Sequence, residues 1–475
     1  MDVQQLRPSR EGGPAIYLQL YARLREAIAA GRLRPGDRVP SVRSLASELN
    51  LARGTVELAY QLLASEGYLL PRGPAGTVVS PQLAAAPAAL PQAAPATATA
   101  RPASDGQPQP WPFQLGLPAL DAFPRKTWAR LAAHAARDMS AAALIYPAPN
   151  GSEDLRRAIA SYLGISRGIA CSPGQVFVTQ GYRGALELVC QAVLQRGDFG
   201  WHEEPGYRHA RDFLERAGMR LAPVPVDEQG LDVQQGRRLA ETARFAVVTP
   251  THQSPLGVAL SLPRRLALLE WAGQQQAWII EDDYDSEFRY HGRPLPALKS
   301  LDSGGRVLYT GTFSKVLFPG LRLAYLVVPE SQIERFRAAA WHLPGPALPA
   351  QAATARFLEQ GHFARHLRKM RTLYASRRAY LAQALQARLG RHLEVQTQAG
   401  GIHILARLRD PALADAPLAT LALQAGLAVT PLSQWHMGPA ATGGLLMGFT
   451  NIASPEMAQA LVSRLALALG WMQAP

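Results

Sequence analysis

The chain is poor in cysteine and has no long apolar run. Of its 475 residues only two are cysteine, Cys171 and Cys190, too few for a disulfide framework or a thiolate metal site. This low count fits a reducing compartment. No stretch of about 18 uncharged apolar residues occurs, and the N-terminus has no charged and then apolar signal, so the sequence favours neither membrane spanning nor export. We therefore expect a cytoplasmic protein.

Lysine is also scarce, although the chain is basic. The net charge is +13, from 49 lysines and arginines against 36 acids, yet the only lysines are Lys126, Lys299, Lys315 and Lys369. A basic excess suits a polyanionic partner, but it also serves solubility. Residues 1–80 hold ten arginines and seven acids, a net of +3, so most of the excess lies elsewhere. Net charge alone is weak evidence for nucleic-acid binding, whereas each lysine is worth inspecting.

Length and composition predict a globular protein of two or three domains. Apolar residues make up 48% of the chain and charged residues 18%, which is enough for a large core. Residues 81–110 differ from the rest, because 11 of the 30 are alanine and 7 are proline. Such a composition cannot bury itself. We predict a linker over 81–112, between an N-terminal domain at 1–80 and a C-terminal domain at 113–475.

The first 80 residues have the pattern of three short helices and a hairpin. Apolar side chains recur every four residues over 16–28 and predict an amphipathic helix that ends at Gly31. Ser41 can cap a second helix, a third follows a break at 50–51, and two β runs over 68–79 flank a glycine-rich turn. The inner faces of the second and third helices carry Leu45, Leu49, Val56, Tyr60 and Leu63.

Three helices followed by a hairpin describe an α+β winged helix-turn-helix that binds double-stranded DNA. In this geometry the third helix faces base edges with its first turn. The start of the second helix reaches phosphate or an adjacent base, and the wing tip reaches the backbone or the minor groove. The candidate DNA-binding residues at these three places are Ser41, Arg43, Arg53, Thr55, Arg72 and Gly73.

Beyond the linker, short apolar β runs alternate with helical stretches. This alternation predicts an α/β domain with a mostly parallel sheet and helices on both faces. Ligands of such sheets bind beyond the carboxyl ends of the strands. The predicted strands cover residues 175–179, 245–249, 277–280, 307–309 and 324–328.

Polar clusters follow three of these strands. Residues 180–185 place glycines at a strand-to-helix turn, where backbone N–H groups can close on an anion. The acids of 281–285 end a strand, where buried carboxylates need a cation, either a metal ion or a protonated ring nitrogen. Lys315 follows two hydroxyls and precedes Arg322, so it can form a Schiff base while its neighbours hold a phosphate. These are the demands of pyridoxal 5′-phosphate (PLP).

Two known families resemble the two halves of the chain. Residues 14–80 resemble the GntR-type winged helix in four segments: Pro-Gly-Asp, Pro-Ser-Val-Arg, Ala-Arg-Gly-Thr-Val and Glu-Gly-Tyr. Residues from about 113 onward resemble fold-type I PLP-dependent aminotransferases, whose lysine motif is matched by Thr-Phe-Ser-Lys and Pro-Gly-Leu-Arg at 312–322. In this order the two halves resemble the MocR family of transcription regulators. The resemblance implies a large domain at about 146–340 and a small C-terminal domain at about 341–475.

The resemblance also implies roles for single residues, and it calls for no metal. Lys315 would form the internal aldimine with the cofactor, Asp282 would pair with the pyridinium nitrogen, and Tyr207 would stack on the ring. Tyr146 resembles a tyrosine that reaches the phosphate of a partner subunit, which implies a homodimer. The other implied cofactor contacts are Tyr284 with His252 or Gln253 at the ring hydroxyl, and Gly181, Tyr182, Thr312, Ser314 and Arg322 at the phosphate.

The sequence departs from aminotransferases that act on amino acids. Those enzymes grip the substrate carboxylate with an arginine of the small domain, but no Arg or Lys occurs between Asp410 and Ser463, and the expected segment at 444–449 is apolar. The second basic contact is reduced to His209. Arg183 replaces a more usual amide, and Ser254 stands where an aromatic is common. Ordinary transamination of α-amino acids is therefore not favoured.

These features lead to a ranked set of functions. We expect a PLP-dependent, DNA-binding transcriptional regulator that senses PLP, or an amine that reacts with it, and controls vitamin B6 metabolism. It would show at most slow aldimine or half-transamination chemistry. One alternative is an active aminotransferase with an appended DNA-binding domain, and another is a regulator of the catabolism of an amino compound. A third is a scaffold that binds no cofactor and serves only to dimerise.

Overall fold

The structure is a computed structural model, in which the chain divides into two units, Met1–Gln107 and Pro108–Pro475. Most of the predicted linker, residues 84–109, lies outside the described residues. None of the helices in the described part of the chain combines the length and the apolar composition needed to span a bilayer. The structure describes residues 3–9, 13–83, 110–290, 295–396, 398–439 and 442–472.

The first unit contains the three predicted helices and the predicted hairpin. Its strands form an antiparallel sheet in the order β1-β3-β2. Strand β1 was not predicted, because a two-residue strand is too short to show alternation. The elements are α1 (Ile16–Ala29), β1 (Arg38–Val39), α2 (Val42–Leu49), α3 (Arg53–Ser65), β2 (Leu69–Pro71) and β3 (Thr77–Val79).

The core of this unit follows the predicted apolar faces with one change. Helix α1 buries Leu20, Leu24 and Ala27, whereas Ile16 and Ile28 are only half-buried. The buried face of α1 therefore includes Ala27, whereas the four-residue spacing predicted Ile16 and Ile28 in that face. The predicted inner side chains of α2 and α3 are buried as expected: Leu45, Leu49, Val56, Tyr60 and Leu63.

The second unit is built on an eight-stranded sheet in the order β4-β11-β10-β9-β8-β5-β6-β7. All five predicted strands are present. Six strands run in one direction, while β11 and β7 run against them. The predicted mostly parallel sheet is confirmed. Its strands are β4 (Val176–Thr179), β5 (Phe199–Glu204), β6 (Arg220–Asp227), β7 (Gly230–Leu231), β8 (Phe245–Val248), β9 (Trp278–Asp283), β10 (Val307–Thr312) and β11 (Ala324–Val327).

Helices cover both faces of this sheet. Successive residues of β4 point to opposite sides, so that Val176 and Val178 join one buried cluster and Phe177 joins another. Strands buried on both faces read as continuous apolar runs, which is why they stood out in the sequence. The helices around the sheet are α4 (Arg125–Arg137), α5 (Glu153–Arg167), α6 (Gly181–Val193), α7 (Arg208–Arg216), α8 (Val233–Leu239), α9 (Leu262–Gln275), α10 (Ile333–Ala340) and α11 (Leu348–Glu359).

A four-stranded antiparallel sheet in the order β12-β13-β15-β14 forms the C-terminal part. The 28-residue helix α12 leads into it, and Phe113 bridges to Gly448 at its edge. Residues near the start of this unit thus lie against its last strand. The elements are α12 (His362–Leu389), β12 (Leu393–Gln396), β13 (His403–Leu408), α13 (Asp415–Gln424), β14 (Thr430–Pro431), β15 (Gly444–Gly448) and α14 (Pro455–Ala468).

Candidate functional site

The reversed strand β11 brings the predicted phosphate-binding residues together. Its first residue, Ala324, pairs with Thr179 at the end of β4 and with Thr312 at the end of β10. Because β11 runs against its neighbours, Arg322 just before it lies where those strands end. A Cβ built on Gly181 would be 3.5 Å from the Arg322 guanidinium carbon. Residues separated by more than 100 positions therefore meet at one sheet edge.

This edge has the features of an anion site. Helix α6 begins at Gly181, whose φ is +75°, so the free N–H groups of its first turn point to the edge. The guanidinium of the exposed Arg322 forms no hydrogen bond or salt bridge with any described residue. The Thr312 hydroxyl accepts the N–H of Ser314 at 3.2 Å and shapes the turn before Lys315. A cavity of about 160 Å³ borders Arg322 and is also lined by Thr179 and Arg183.

The amine of Lys315 points into the same site. Its Nζ donates a hydrogen bond to the carbonyl oxygen of Gly116 at 2.9 Å. Burial lowers the pKa of Lys315, while the nearby carboxylates of Asp285 and Asp282 oppose the shift. A lowered pKa increases the fraction of neutral amine, which is the nucleophilic form. The position and charge state of Lys315 therefore suit attack on an aldehyde.

Sequence reasoning missed Gly116, which holds this amine. Gly116 has φ +75°, and a Cβ built on it would lie 2.5 Å from Nζ of Lys315. The residue belongs to a loop 199 positions upstream of the lysine, and no local pattern marks it. Its absent side chain makes room for the amine, and its carbonyl oxygen orients it.

We expect Gly116→Ala to weaken PLP retention by about tenfold or more, because the new methyl displaces Nζ from its acceptor. Retention can be followed by dialysis and visible absorption. Gly361→Ala is the matched control, since Gly361 has φ +70° and nothing within 4 Å of an added Cβ. It carries the same backbone cost of about 1 kcal/mol without touching the amine. Equal losses in both variants would assign the effect to backbone strain.

Asp282 is the acid that remains available at the end of β9. It is only 5% exposed and forms no salt bridge with any described residue. Burial raises its pKa to about 8, and the adjacent Tyr182 hydroxyl opposes that rise. Its three acidic neighbours are engaged elsewhere: Glu281 accepts the N–H groups of Leu298 and Lys299 at 2.8 and 2.7 Å, Asp283 pairs with Arg167 at 3.0 Å, and Asp285 contacts Nδ1 of His252 at 3.0 Å.

These contacts separate the two chemistries that the acidic run left open. No group of three or more His, Cys, Asp or Glu side chains within the described residues is arranged to hold a metal ion. A buried carboxyl without a cation instead fits a protonated ring nitrogen. Together with the Lys315 amine and the anion site at Arg322, the residues present fit PLP.

Tyr284 lies in a small hydrogen-bond cluster. Its hydroxyl is 3.0 Å from Nδ1 of His252 and also hydrogen-bonds the Ser254 hydroxyl. Gln253 faces elsewhere: its Nε2 donates to the Pro205 carbonyl oxygen at 2.8 Å, and its Oε1 accepts the Leu256 N–H at 3.0 Å. Of the two candidates beside Tyr284, the structure thus places His252 there and gives Gln253 a role in loop structure.

Tyr207 belongs to an aromatic group that spans both sheets. It precedes α7, and its ring centroid lies 6.0 Å from that of Tyr182 and 5.4 Å from that of His209. The ring of Trp435, from the small sheet's side of the unit, is 5.7 Å away. Sequence reasoning missed Trp435, because nothing local relates it to Tyr207. Tyr207 is therefore in contact with the C-terminal part.

Hydrogen bonds reinforce that tie. The Glu204 carboxylate accepts from Nδ1 of His436 at 3.0 Å and from the N–H of Met437 at 2.9 Å. Arg211 donates to the carbonyl oxygen of His436 at 2.8 Å, and the Gly206 N–H donates to the Trp435 carbonyl oxygen at 3.1 Å. These hydrogen bonds join the loop that carries Tyr207 to the 435–437 segment.

The strand where a substrate-binding arginine was expected lies in the core. Leu445, Leu446 and Met447 of β15 are fully buried and pair with β13. No basic side chain of the described part of β15 enters the site, which agrees with the apolar sequence. A carboxylate grip on this strand is thus absent. Tyr146 also stays outside the site of its own chain, because it is 97% exposed beside the exposed Ile145.

The first unit presents the predicted DNA contacts on its surface. Arg43 is the second residue of α2, Arg53 is the first of α3, and Arg72 precedes the wing turn; all three are exposed. None of the three guanidinium groups has a hydrogen bond or salt bridge among the described residues. The other three candidates differ in their surroundings: the Ser41 hydroxyl accepts the Ser44 N–H at 3.1 Å, Thr55 is half-buried, and Gly73 has φ +57° in the wing turn.

Arg38 supports the wing and was missed. Its guanidinium donates to the carbonyl oxygen of Ala75 and packs against Gly76. The Arg72 N–H donates to the Gly76 carbonyl oxygen at 2.7 Å, closing the same turn. The wing tip that carries Arg72 is therefore held in a defined shape.

Family models match both units. Residues 16–79 match the model for bacterial regulatory proteins of the gntR family, and residues 120–464 match the model for class I and II aminotransferases. The second match extends over most of the chain. The two matched ranges fall within the two structural units.

Relatives and solved structures agree with these matches. The chain is 37% identical over 96% of its length to a probable rhizopine catabolism regulatory protein, MocR, of Rhizobium meliloti, covering 94% of that protein. It is 34% identical to the pyridoxine biosynthesis transcriptional regulator PdxR of Corynebacterium glutamicum, covering 92% of each chain. A kynurenine aminotransferase of Pyrococcus horikoshii, solved in complex with PMP, superposes with a TM-score of 0.68 at 26% identity, covering 76% of this chain and 91% of that one.

Proposed function

The chain belongs to the MocR family, in which a GntR-type DNA-binding domain is joined to a class I and II aminotransferase domain, and from this premise we propose that it is a transcriptional regulator controlled by PLP. The observation that carries the proposal is that residues that fit PLP meet at one sheet edge, whereas β15 offers no basic side chain to grip a carboxylate. Binding operator DNA would place the protein in the cytoplasm.

The cofactor would be held by groups from both sides of the sheet edge. Lys315 would attach it covalently, Asp282 would balance its ring nitrogen, and the Gly181 turn with Arg322 would bind its phosphate. When bound, PLP supplies an aldehyde and an electron-withdrawing ring. Tyr207 would cover one face of the ring and exclude water. Tyr284 would donate to the ring hydroxyl, because Nδ1 of His252 also contacts the Asp285 carboxylate and would therefore carry the hydrogen in its contact with Tyr284.

We favour the hypothesis that the effector is PLP itself. An amino acid substrate needs a cation for its carboxylate, and β15 buries apolar side chains at that place. PLP needs no such group. The likeness to a pyridoxine biosynthesis regulator supports the same reading. The protein would then adjust vitamin B6 supply to the concentration of its own ligand.

A second candidate is a regulator for the catabolism of an amino compound. It is favoured by the 37% identity to a protein named for rhizopine catabolism. In that case an amine without a carboxylate would react at the PLP–lysine site. His209, whose pKa is lowered by burial, lies beside Tyr207 and near Lys315 and would contact such an amine.

Homodimerisation is part of the proposal. Leu144, Ile145 and Tyr146 are consecutive exposed apolar residues, with side chains 72%, 71% and 97% exposed. Exposed apolar segments of this kind are typical of interfaces. Tyr146 would then reach the phosphate in a partner subunit. Two DNA-binding units in one dimer would recognise two half-sites.

One titration separates these functions. Footprinting of DNA upstream of neighbouring genes identifies the operator, and its affinity is then measured with PLP alone and with a panel of amines added to the PLP-loaded protein. A change with PLP alone supports vitamin B6 control. A change only with an amine assigns the protein to amine catabolism. Rapid, sustained amino transfer to a keto acid would identify a working aminotransferase and overturn the proposal.

We expect Arg53→Ala to weaken operator binding by about 1–3 kcal/mol, because Arg53 begins the helix that faces the bases. Arg72→Ala should mainly reduce the salt dependence, since a phosphate contact releases counterions. Both effects are measured by fluorescence anisotropy on operator and random duplexes at several salt concentrations. Equal losses of Arg53→Ala on both duplexes would make Arg53 a backbone contact.

A further inference from the structure

A basic pocket lies at the edge of the sheet opposite the PLP site. Arg244 precedes β8 and Arg306 precedes β10, on either side of β9. Their carbonyl oxygens accept the N–H groups of Trp278 and Ile279, both at 2.9 Å. The backbone thus fixes the two arginines beside the start of β9. We call this the anion pocket; its lining arginines are Arg244, Arg306 and Arg335.

The three arginines of the anion pocket are not neutralised by the protein. Arg306 stacks on the Trp278 ring at 5.2 Å and donates hydrogen bonds to the neutral Gln276, so its positive charge is not compensated. The guanidinium groups of Arg244 and Arg335 form no hydrogen bond or salt bridge with any described residue. The single acid of the lining, Asp198, accepts the Gln195 N–H at 2.8 Å. Three positive groups and one negative group leave the pocket with an excess of two positive charges, which a concave surface concentrates.

We propose that the anion pocket binds a small phosphorylated metabolite, at a site separate from the PLP site. Its volume of about 500 Å³ lies in the range of small-molecule pockets. Guanidinium groups match phosphate oxygens in pairs, while the lining amides of Gln195 and Gln332 offer hydrogen bonds to a neutral organic part. The third lining glutamine, Gln276, accepts from Arg306 and donates to the Gly273 carbonyl oxygen at 2.9 Å.

Phosphate could also come from DNA, and the shape of the pocket distinguishes the two sources. Arg244 and Arg335 are exposed at the rim, whereas Arg306 is half-buried over Trp278, which is 8% exposed. A duplex carries its phosphates on a convex surface, so it can contact only the arginines at the rim. A small anion can contact all three arginines, so it should depend on Arg306 as well.

The test measures binding of inorganic pyrophosphate and of AMP to the full-length, PLP-loaded protein by isothermal titration at constant ionic strength. The double variant Arg244→Gln/Arg335→Gln should bind both probes about tenfold more weakly or worse, since it loses two charge-assisted contacts. The matched control is Arg216→Gln/Arg238→Gln, which removes the same charge from exposed positions outside the pocket and should bind within about twofold of the parent protein.

Three outcomes would overturn the proposal. The first is no saturable binding of either probe at concentrations up to about 10 mM, which is about tenfold above a weak Kd of about 1 mM. The second is an equal loss in the control pair, which would indicate a general charge effect. The third is a loss of binding to random duplex DNA by the double variant while pyrophosphate binding stays unchanged. In addition, Arg306→Gln should weaken pyrophosphate binding and leave duplex binding unchanged, and Lys315→Ala should leave the pocket functional, which separates this site from the proposed PLP response.

Discussion

Lys315→Ala is expected to abolish covalent retention of PLP and every PLP-dependent change in operator affinity. The amine of Lys315 is held at 2.9 Å from the Gly116 carbonyl oxygen, and burial lowers its pKa toward the nucleophilic form. Alanine removes that nucleophile. The wild-type protein should be yellow after incubation with PLP and should keep the label after borohydride reduction. The variant should be colourless, and mass spectrometry should find no reduced adduct.

Lys369→Ala is the control for that experiment. Lys369 lies exposed on α12, so its replacement removes an equal charge without entering the site. The DNA-binding unit has its own buried core around Leu20, Leu45 and Val56, so Lys315→Ala should still bind the operator. Adduct formation in Lys315→Ala at the wild-type level would contradict the site. Loss of operator binding without ligand would show instead that Lys315 supports the structure of the regulator.

The local motifs predicted the residues that lie at strand ends. Lys315, Asp282 and Gly181 each lie shortly after an apolar run, and the carboxyl ends of parallel strands share one edge, so their meeting could be inferred before the structure. The strand pattern alone did not place Arg322 at this edge, because Arg322 precedes its strand instead of following it. It reaches the site only since β11 runs antiparallel, and a four-residue apolar strand carries no sign of its direction.

Contacts between distant segments were beyond sequence reasoning. Gly116 and Trp435 approach Lys315 and Tyr207 from loops with no repeating pattern, so only the fold brings them together. Gln253 shows a different limit, because an amide beside a candidate histidine can face either the site or the backbone. In the structure its side chain forms three hydrogen bonds with backbone groups and one with Glu203. Side-chain orientation of this kind depends on packing, which residue identity alone does not determine.

Asp282→Asn is expected to weaken PLP binding by about 150- to 5,000-fold. Removing one partner of a buried ion pair costs about 3–5 kcal/mol. Asp282 is 5% exposed and has no salt bridge in the described residues, so the ring nitrogen would be its partner. Binding is measured by absorbance titration. Glu203→Gln is the control, because it also removes a buried carboxyl with a raised pKa, but one that is hydrogen-bonded to Thr249. Equal binding by Asp282→Asn and the wild type would remove Asp282 from the site.

The same variant tests the proton balance of the site through pH. Burial raises the pKa of Asp282 from 3.8 to about 8, so the cofactor-free folded state keeps a proton that the unfolded state loses. The free energy of unfolding should therefore fall as pH rises from about 4 to about 8. In Asp282→Asn the decrease in the free energy of unfolding between pH 5 and pH 8 should be smaller. Urea unfolding curves at the two pH values measure it. Burial also raises the pKa values of Glu203 and Glu281 to about 7, so these two groups contribute the rest of the pH dependence. Glu203→Gln should remove the Glu203 contribution.

PLP binding should show the complementary dependence. Below pH about 8 the Asp282 carboxyl carries a proton, and the bound pair would keep one proton between this carboxyl and the ring nitrogen. Above pH about 8 the proton must come from solvent, and affinity should decline by up to about tenfold per pH unit. Asp282→Asn should lack that change of slope. A wild-type affinity that stays constant from pH 7 to pH 10 would show that Asp282 does not share a proton with the cofactor.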